Sequence, residues 1–332
     1  METPVTYNDS QLDFSSLRGR SVLITGGASG IGLACAKKLA ESGALLTLSD
    51  LNEVSGQAAV QELSSAGHAV QFVQCDVRSY TSLVGLFKRA ISFGGGKIDV
   101  VIPNAGVIAE GNLFDIASET MPSLDGPPPP EPGYVGCDIN LHAVYNTCYL
   151  AMHYFRLPRE TNGYKPSIVL ISSVAGYVGY PSSSTYSMSK FGVRGLFYGI
   201  RDQTTRGTPA IRVNLVAPWF IETALTTTPT FRASEAAMLS NLIGFAPMDR
   251  VVTAVLQFAA NQQLHGRAAG VFPTANVDLG DDLEGAYSGV VLHKHMKDVM
   301  DKVVKAMAAA ETEKNELEKT DRVNAAPRGI WG

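Results

Sequence analysis

Ser21-Val22-Leu23-Ile24-Thr25-Gly26-Gly27-Ala28-Ser29-Gly30-Ile31-Gly32 reads as a buried strand, a glycine turn and the opening of a helix. The run from Ser21 to Thr25 has the length and composition of a strand in a sheet's interior, and helical spacing follows from Ile31 to about Ser42. Strand, turn and helix together begin a βαβ unit, the setting in which a glycine pattern gains meaning. Glycines let the turn tighten and let backbone N–H groups approach a pyrophosphate at the positive end of the helix. Glycines also serve any tight turn, so the next element has to decide between the two.

That element, Ala44-Leu45-Leu46-Thr47-Leu48-Ser49-Asp50, is a second strand ending in an acid 18 residues after Gly32. A carboxylate there accepts hydrogen bonds from adenosine ribose hydroxyls and repels a 2′-phosphate. Leu51 follows it and Ser29 sits in the turn, so neither place offers a cation, which favours NAD over NADP. The alternation continues with a strand from Ala69 to Gln74, then Cys75-Asp76-Val77, then a helix from about Thr81 to Ile91. Asp76 either binds the adenine amino group or caps that helix. Ile98 to Ile102 forms a fourth strand running into Pro103-Asn104-Ala105-Gly106. Repeated strand–helix units predict a parallel, doubly wound α/β sheet with its ligand at the carboxyl ends of the strands.

An irregular insertion, about 109–135, contains Gly126-Pro127-Pro128-Pro129-Pro130-Glu131-Pro132, which neither pairs in a ladder nor continues a helix. Asp138-Ile139-Asn140 opens an apolar helix through Phe155, and Ser167 to Ile171 is a fifth strand ending at Ser172-Ser173. Tyr186 follows Ser173 by thirteen residues and precedes Lys190 by four, on a helix that continues apolar to Gln203. A phenol's pKa near 10 is too high for a base at neutral pH, and an ammonium one turn away is expected to lower it. The pair is therefore a candidate proton acceptor for an alcohol, although this spacing alone more often marks a surface pair. Gly192, Gly195 and Gly199 on the same helix suggest a close backbone contact. A sixth strand, Ala210 to Val216, leads into a lid over about 219–247, and Gly270 to Ala275 is expected as a last strand at the sheet edge because of Pro273.

The chain is expected to divide into a polar arm over 1–19, one dehydrogenase-like domain over 20–280, and a helical extension with a charged tail over 281–332. Its 332 residues, 45% hydrophobic and 17% charged, are globular in character, and a net charge of −4 gives no reason to expect nucleic acid as a partner. The polar start lacks an apolar core of signal-peptide length, and no apolar run is long enough to span a bilayer. Cys35, Cys75, Cys137 and Cys148 are widely spaced, which suggests free thiols in a reducing, cytoplasmic setting. The six histidines show no metal-ligand spacing.

Thr25-Gly26-x-x-x-Gly30-x-Gly32, Asn104-Ala105-Gly106, Asn140, Ser173 and Tyr186-x-x-x-Lys190, all in order, resemble the short-chain dehydrogenase/reductase family over about residues 20–275. Within it the chain is similar to NAD-linked prostaglandin dehydrogenase-like members and to fungal secondary-metabolite, 5′-hydroxyaverantin dehydrogenase-like, members. The resemblance implies a single Rossmann-like domain with a seven-stranded parallel sheet. It also implies that Tyr186 is the general base, that Lys190 lowers its pKa and holds the nicotinamide ribose, and that Ser173 orients the substrate hydroxyl. Asn140 would hold a water linking Lys190 to solvent. Gly26, Ser29, Gly30, Ile31 and Gly32 would line the pyrophosphate turn, with Asp50 on the adenosine ribose and Asp76 and Val77 near adenine. Asn104, Gly106, Pro218 and Thr223 would flank the rest of the cofactor. A homodimer or homotetramer is implied through the helices around Asn140 and after Tyr186.

Three departures stand out: Pro103 where the family usually has Asn, Trp219 where it usually has Gly, and the added insertion and C-terminal extension. The expected activity is NAD-dependent oxidation of a secondary alcohol on a hydrophobic small molecule. Val174, Tyr177, Tyr180, Trp219 and Phe220 are the candidate substrate pocket. The alternatives are an NAD(P)H-dependent carbonyl reductase and a catalytically silent NAD-binding sensor or scaffold.

Overall fold

The computed structural model describes residues 12–119, 121–158, 163–180, 182–232 and 235–279, together with Val5, Tyr7, Lys302 and Lys305. The chain divides into two units, Met1–Gly289 and Val290–Gly332, and the architecture below is that of the first. The expected C-terminal helix lies outside the described residues, apart from Lys302 and Lys305, which are helical.

Eight strands form one sheet in the order β3-β2-β1-β4-β5-β6-β7-β8, with β1 at Ser21–Thr25, β2 at Leu45–Asp50, β3 at Val70–Gln74 and β4 at Val100–Pro103. β5 (Ser167–Ile171), β6 (Arg212–Pro218), β7 (Ala268–Val271) and β8 (Asn276–Asp278) complete it. The first seven strands pair in parallel, as the expected seven-stranded sheet requires, and β8 pairs antiparallel to β7. β7 is therefore not the edge, and Pro273 falls in the turn between β7 and β8, where its missing N–H interrupts no ladder.

Every residue of β1, β4, β5 and β6 is buried, as continuous apolar runs covered on both faces should be. Helices α1 (Gly30–Glu41), α2 (Glu53–Ser65) and α3 (Tyr80–Phe93) follow the first three strands. α4 (Leu113–Ser118) lies inside the insertion and α5 (Val135–Cys137) ends it. α6 (Ala143–Tyr154), α7 (Ser184–Thr204), α8 (Pro229–Arg232), α9 (Glu235–Ile243) and α10 (Met248–Ala260) complete the set. No helix among the described residues is by itself long and apolar enough to cross a bilayer.

α10 has no counterpart in the sequence reading. Nine of its residues are buried, while Asp249, Arg250, Thr253 and Gln257 keep helical spacing among them. The crossing between β1 and β4, where the strand order reverses direction, places the carboxyl ends of both strands at the glycine turn. At the opposite end of the sheet, Arg267 and Asp278 form a buried ion pair, and Asp278 also accepts the Val5 N–H at 2.7 Å.

Candidate active site

The glycine turn is closed by contacts that leave no space for side chains. Gly26 has φ +64°, and a Cβ there would lie 2.8 Å from the Ala105 Cα; a Cβ on Gly32 would lie 2.1 Å from the Gly26 carbonyl oxygen. Asn104 ties the β4 end to this turn, its amide donating to the carbonyls of Thr25 at 3.1 Å and Gly26 at 2.9 Å. Ala105 and Gly106 continue the same tight segment. Ser29 precedes α1 without bonding to it through its side chain, and the first turn contains no acid, so the helix's positive end is uncompensated. Ile31 lies in that first turn, and Thr223 packs beside it, its Cγ2 3.4 Å from where a Gly30 Cβ would be. These are the features a pyrophosphate needs.

Asp50 ends β2 with its carboxylate accepting from the backbone N–H of Ala28 at 3.3 Å and of Asn52 at 3.1 Å. It is thereby aimed at the turn. Asp76 does not cap α3: Ser79 does, accepting from the Ser82 N–H, while Asp76 forms a bidentate pair with Arg78. That pair, mainly through the Arg78 hydrogen bonds, holds the Asp76 carboxyl below its usual range. Val77 is buried beside it.

α7 begins at an N-cap, Ser183, whose hydroxyl accepts the Tyr186 N–H at 3.2 Å. From there Tyr186 and Lys190 fall one turn apart on one face, with the Lys190 Nζ over the Tyr186 ring, 5.5 Å from its centre. Nζ also donates to the Ile171 carbonyl at 3.2 Å, at the end of β5. The short helical turn Val174–Gly176 presses on this region, since a Cβ on Gly176 would lie 2.7 Å from the Lys190 carbonyl oxygen. The Ser173 hydroxyl is hydrogen-bonded with the Tyr186 phenol and also reaches the Pro218 carbonyl at 3.4 Å.

The electrostatics differ from the sequence expectation. Burial pushes the Tyr186 phenol up to about 12, against the Ser173 hydrogen bond, with Tyr180 adding to the rise. Burial also pushes Lys190 down to about 8. Desolvation therefore dominates in the protein alone: both groups are shifted toward their neutral forms, and Lys190 is still mostly a cation at pH 7.

Asn140 is fully buried within a turn of π-helix, Asp138–His142. Its side chain accepts the Val107 N–H at 2.8 Å and donates to the Val107 carbonyl at 2.8 Å and to the Ser189 hydroxyl at 3.2 Å. A Cβ on Gly106 would lie 3.2 Å from the Asn140 Oδ1 and 3.8 Å from the Lys190 Nζ. Asn140, Gly106, Ser173, Tyr186 and Lys190 thus meet in one place.

The expected pocket residues separate into two groups. Tyr180 stands edge-on to Tyr186 with ring centres 5.4 Å apart, and Phe220 lies 6.2 Å beyond Tyr180. Trp219 packs on Phe220, and its indole N–H is taken by the Gly244 carbonyl at 3.2 Å. Tyr177 is instead buried with the Arg194 guanidinium over its ring at 4.1 Å, and Val174 is 3% exposed. Phe231 of α8, buried against Phe220, extends the aromatic row and had no signal in the sequence. Ser187 holds Tyr180 in place, accepting its N–H at 2.8 Å and donating to its carbonyl at 3.2 Å. Among the described residues no group of three His, Cys, Asp or Glu side chains is placed to hold a metal ion.

The chain is 40% identical over 298 residues to a 5′-hydroxyaverantin dehydrogenase of Dothistroma septosporum, covering 87% of this chain and 96% of that one. It is 37% identical, with the same coverage, to a 5′-hydroxyaverantin dehydrogenase of Emericella nidulans. An NADP-dependent dehydrogenase, M3, of a Phoma species is 32% identical over 78% of this chain and 76% of its own. Residues 20–231 match the short chain dehydrogenase family, and with the glycine cradle and the Tyr186–Lys190 helix both in that span, the chain belongs to that family of oxidoreductases.

Proposed function

We propose that this protein is an NAD-dependent dehydrogenase of the cytoplasm that oxidises a secondary alcohol on a hydrophobic small molecule to a ketone, in fungal secondary metabolism. The observation that carries the reading is the convergence of Ser173, beyond the end of β5, with Tyr186 and Lys190 of α7, next to Gly106 by the glycine cradle. Gly26, Ser29, Gly30, Ile31 and Gly32 receive the pyrophosphate, Asp50 the adenosine ribose, and Val77 with the Asp76–Arg78 pair the adenine. Asn104, Gly106, Pro218 and Thr223 hold the remaining half, with Lys190 on the second ribose. When bound, the oxidised nicotinamide supplies a hydride acceptor and a positive charge.

The Ser173 hydroxyl orients the carbinol, and Tyr186 takes its proton as a phenolate. Lys190, a cation at neutral pH, then stabilises that phenolate, and a water held at the remaining Asn140 carbonyl lone pair carries the proton onward. Asp50 supports NAD over NADP, because its negative charge would face a 2′-phosphate; M3 of Phoma and clz5 of Cochliobolus lunatus are relatives with NADP-dependent names. The aromatic row of Tyr180, Phe220 and Trp219 supports an apolar substrate. A homo-oligomer is supported by exposed Tyr145, Tyr149, Met188 and Phe191 on α6 and α7, and by Gly195 and Gly199, which face open space while Gly192 packs on Leu141.

The test is NADH formation by the purified protein with 5′-hydroxyaverantin, steroid and prostanoid alcohols, using NADP⁺ and Tyr186→Phe as controls. Turnover with NAD⁺ that falls by roughly 10²–10⁴ in the variant, with NAD⁺ binding kept, is the expected result. Saturable NAD⁺ binding without turnover of any alcohol would count against it, and turnover only with the phosphorylated cofactor would overturn the role given to Asp50.

A further inference from the structure

Between Pro103 and the π turn the chain makes a long excursion, leaving the body at Glu110 and returning at Gly133–Gly136. The excursion contains acids at Asp115, Glu119, Asp125 and Glu131 and no lysine or arginine. α4 within it buries nothing, and Leu113, Phe114, Met121 and Leu124 are all exposed, Phe114 by 77%. A core contact does not fix its place.

One carboxylate does. Glu110 accepts the Thr185 hydroxyl at 2.7 Å, one residue before Tyr186, and the Gly136 N–H at 3.1 and 3.3 Å. It also lies against both returning glycines: a Cβ would come within 3.3 Å of it at Gly133 and 2.8 Å at Gly136. Outgoing chain, returning chain and the helix bearing Tyr186 therefore meet at a single side chain. Two flanking bonds reinforce the junction, from the Ser184 N–H to the Gly111 carbonyl at 3.3 Å and from the Leu113 N–H to the Ser184 hydroxyl at 3.0 Å. The partners of the carboxylate are neutral donors that act as a set: burial raises its pKa, and the hydrogen bonds from Thr185, Gly136, Val135 and its own N–H bring the value below the usual range. Glu110 is thus held as an anion across the neck of the loop, in the manner of a latch.

We infer that Glu110 is a positioning residue for substrate specificity: it pins the 111–132 insertion to the catalytic helix, so that Leu113 and Phe114 form an outer apolar wall beside Tyr186. The inference rests on the alcohol-oxidation reading given above. It predicts that the latch acts on large alcohols and not on chemistry or cofactor.

The experiment compares the full-length protein with Glu110→Gln, Thr185→Val and the double variant, after matching melting temperatures have established that each folds. Steady-state kinetics use 5′-hydroxyaverantin as a large alcohol and cyclohexanol as a small one, alongside the Kd for NAD⁺ and hydrogen exchange across residues 111–136. Each single variant should raise KM for the large alcohol roughly ten-fold, the scale of one lost bond to a charged group. Its kcat should stay within about two-fold, with cyclohexanol turnover and NAD⁺ binding unchanged. Amides of 111–136 should exchange faster in both, and the double variant should be no worse than the more affected single one. Unchanged exchange, or equal slowing of both alcohols, overturns the junction. If the wild-type protein turns over neither alcohol, the dehydrogenase reading fails, and exchange alone then decides whether Glu110 is the latch.

Discussion

Replacing Lys190 by Met should make the protein more stable and nearly inactive. Lys190 is 6% exposed, and its ammonium has the Ile171 carbonyl at 3.2 Å as a partner. Burial lowers its pKa from 10.5 to about 8. At about 1.36 kcal/mol per unit, that fall of about 2.5 units costs about 3 kcal/mol while the group is kept protonated. The sign follows from proton counting: between pH 8 and 10.5 the unfolded chain holds the proton and the folded chain has released it. Stability therefore rises with pH across that window, and the full penalty applies below it.

Met is of similar length and carries no charge, so the penalty disappears in the variant, while the lost bond to Ile171 gives back about 1 kcal/mol. The net expectation is a variant about 2 kcal/mol more stable at pH 7, with the advantage nearly gone by about pH 10. Urea unfolding of both proteins at pH 7 and pH 9.5 measures it, with NADH formation recorded in parallel and expected to fall at least about 100-fold. A variant no more stable at pH 7, or one whose advantage does not shrink with pH, would refute the desolvation argument. Tyr186 gives the opposite signature: with its pKa raised to about 12, stability should fall as pH rises from about 10.

Four other perturbations have defined outcomes. Gly32→Ala must move the Gly26 carbonyl or Asn104, and the loss of about two hydrogen bonds predicts about 2–3 kcal/mol of destabilisation together with lost NAD⁺ binding by calorimetry. Gly85→Ala, on the exposed face of α3 with nothing within 4 Å, should instead gain about 0.5–1 kcal/mol, and a loss there would show the geometry to be wrong. Asp50→Asn removes the charge that faces a 2′-phosphate, so the ratio of kcat/KM for NADP⁺ to that for NAD⁺ should rise at least about ten-fold, and an unmoved ratio would place cofactor choice elsewhere. Asp278→Asn leaves the buried Arg267 charge without its acid and should lower stability by about 3 kcal/mol in urea melts without altering KM for NAD⁺.

The sheet was legible where apolar runs are short and bounded. β5 matches its expected span at both ends, Ser167 to Ile171, and the glycine turn fixed where β1 stops and α1 starts. β8 escaped because three residues carry no alternation, whereas α10 went unread although Asp249, Thr253 and Gln257 fall four apart among apolar residues, a legible helical pattern. At the site, the family resemblance singled out Ser173, Tyr186, Lys190 and Asn140, and the fold brings them together. The electrostatics were not legible, since spacing reports who is near whom and desolvation depends on the whole fold. Glu110 was invisible for a related reason: Thr185 lies 75 residues away, and no local pattern joins them.

The π turn at Asp138–His142 has a consequence for how this protein can change length. Ala143 donates to the Asp138 carbonyl, one residue wider than an α-helical bond, so this stretch holds one residue more than a regular helix would. Deleting any one residue of the five would let α5 and α6 run on as an unbroken helix, with better local hydrogen bonds. It would also remove the local widening that sets Asn140 against Val107. Surface loops beside the cleft can gain or lose many residues without disturbing the sheet. Here a single deletion should yield a sturdier helix in a protein whose Asn140 no longer bonds Val107.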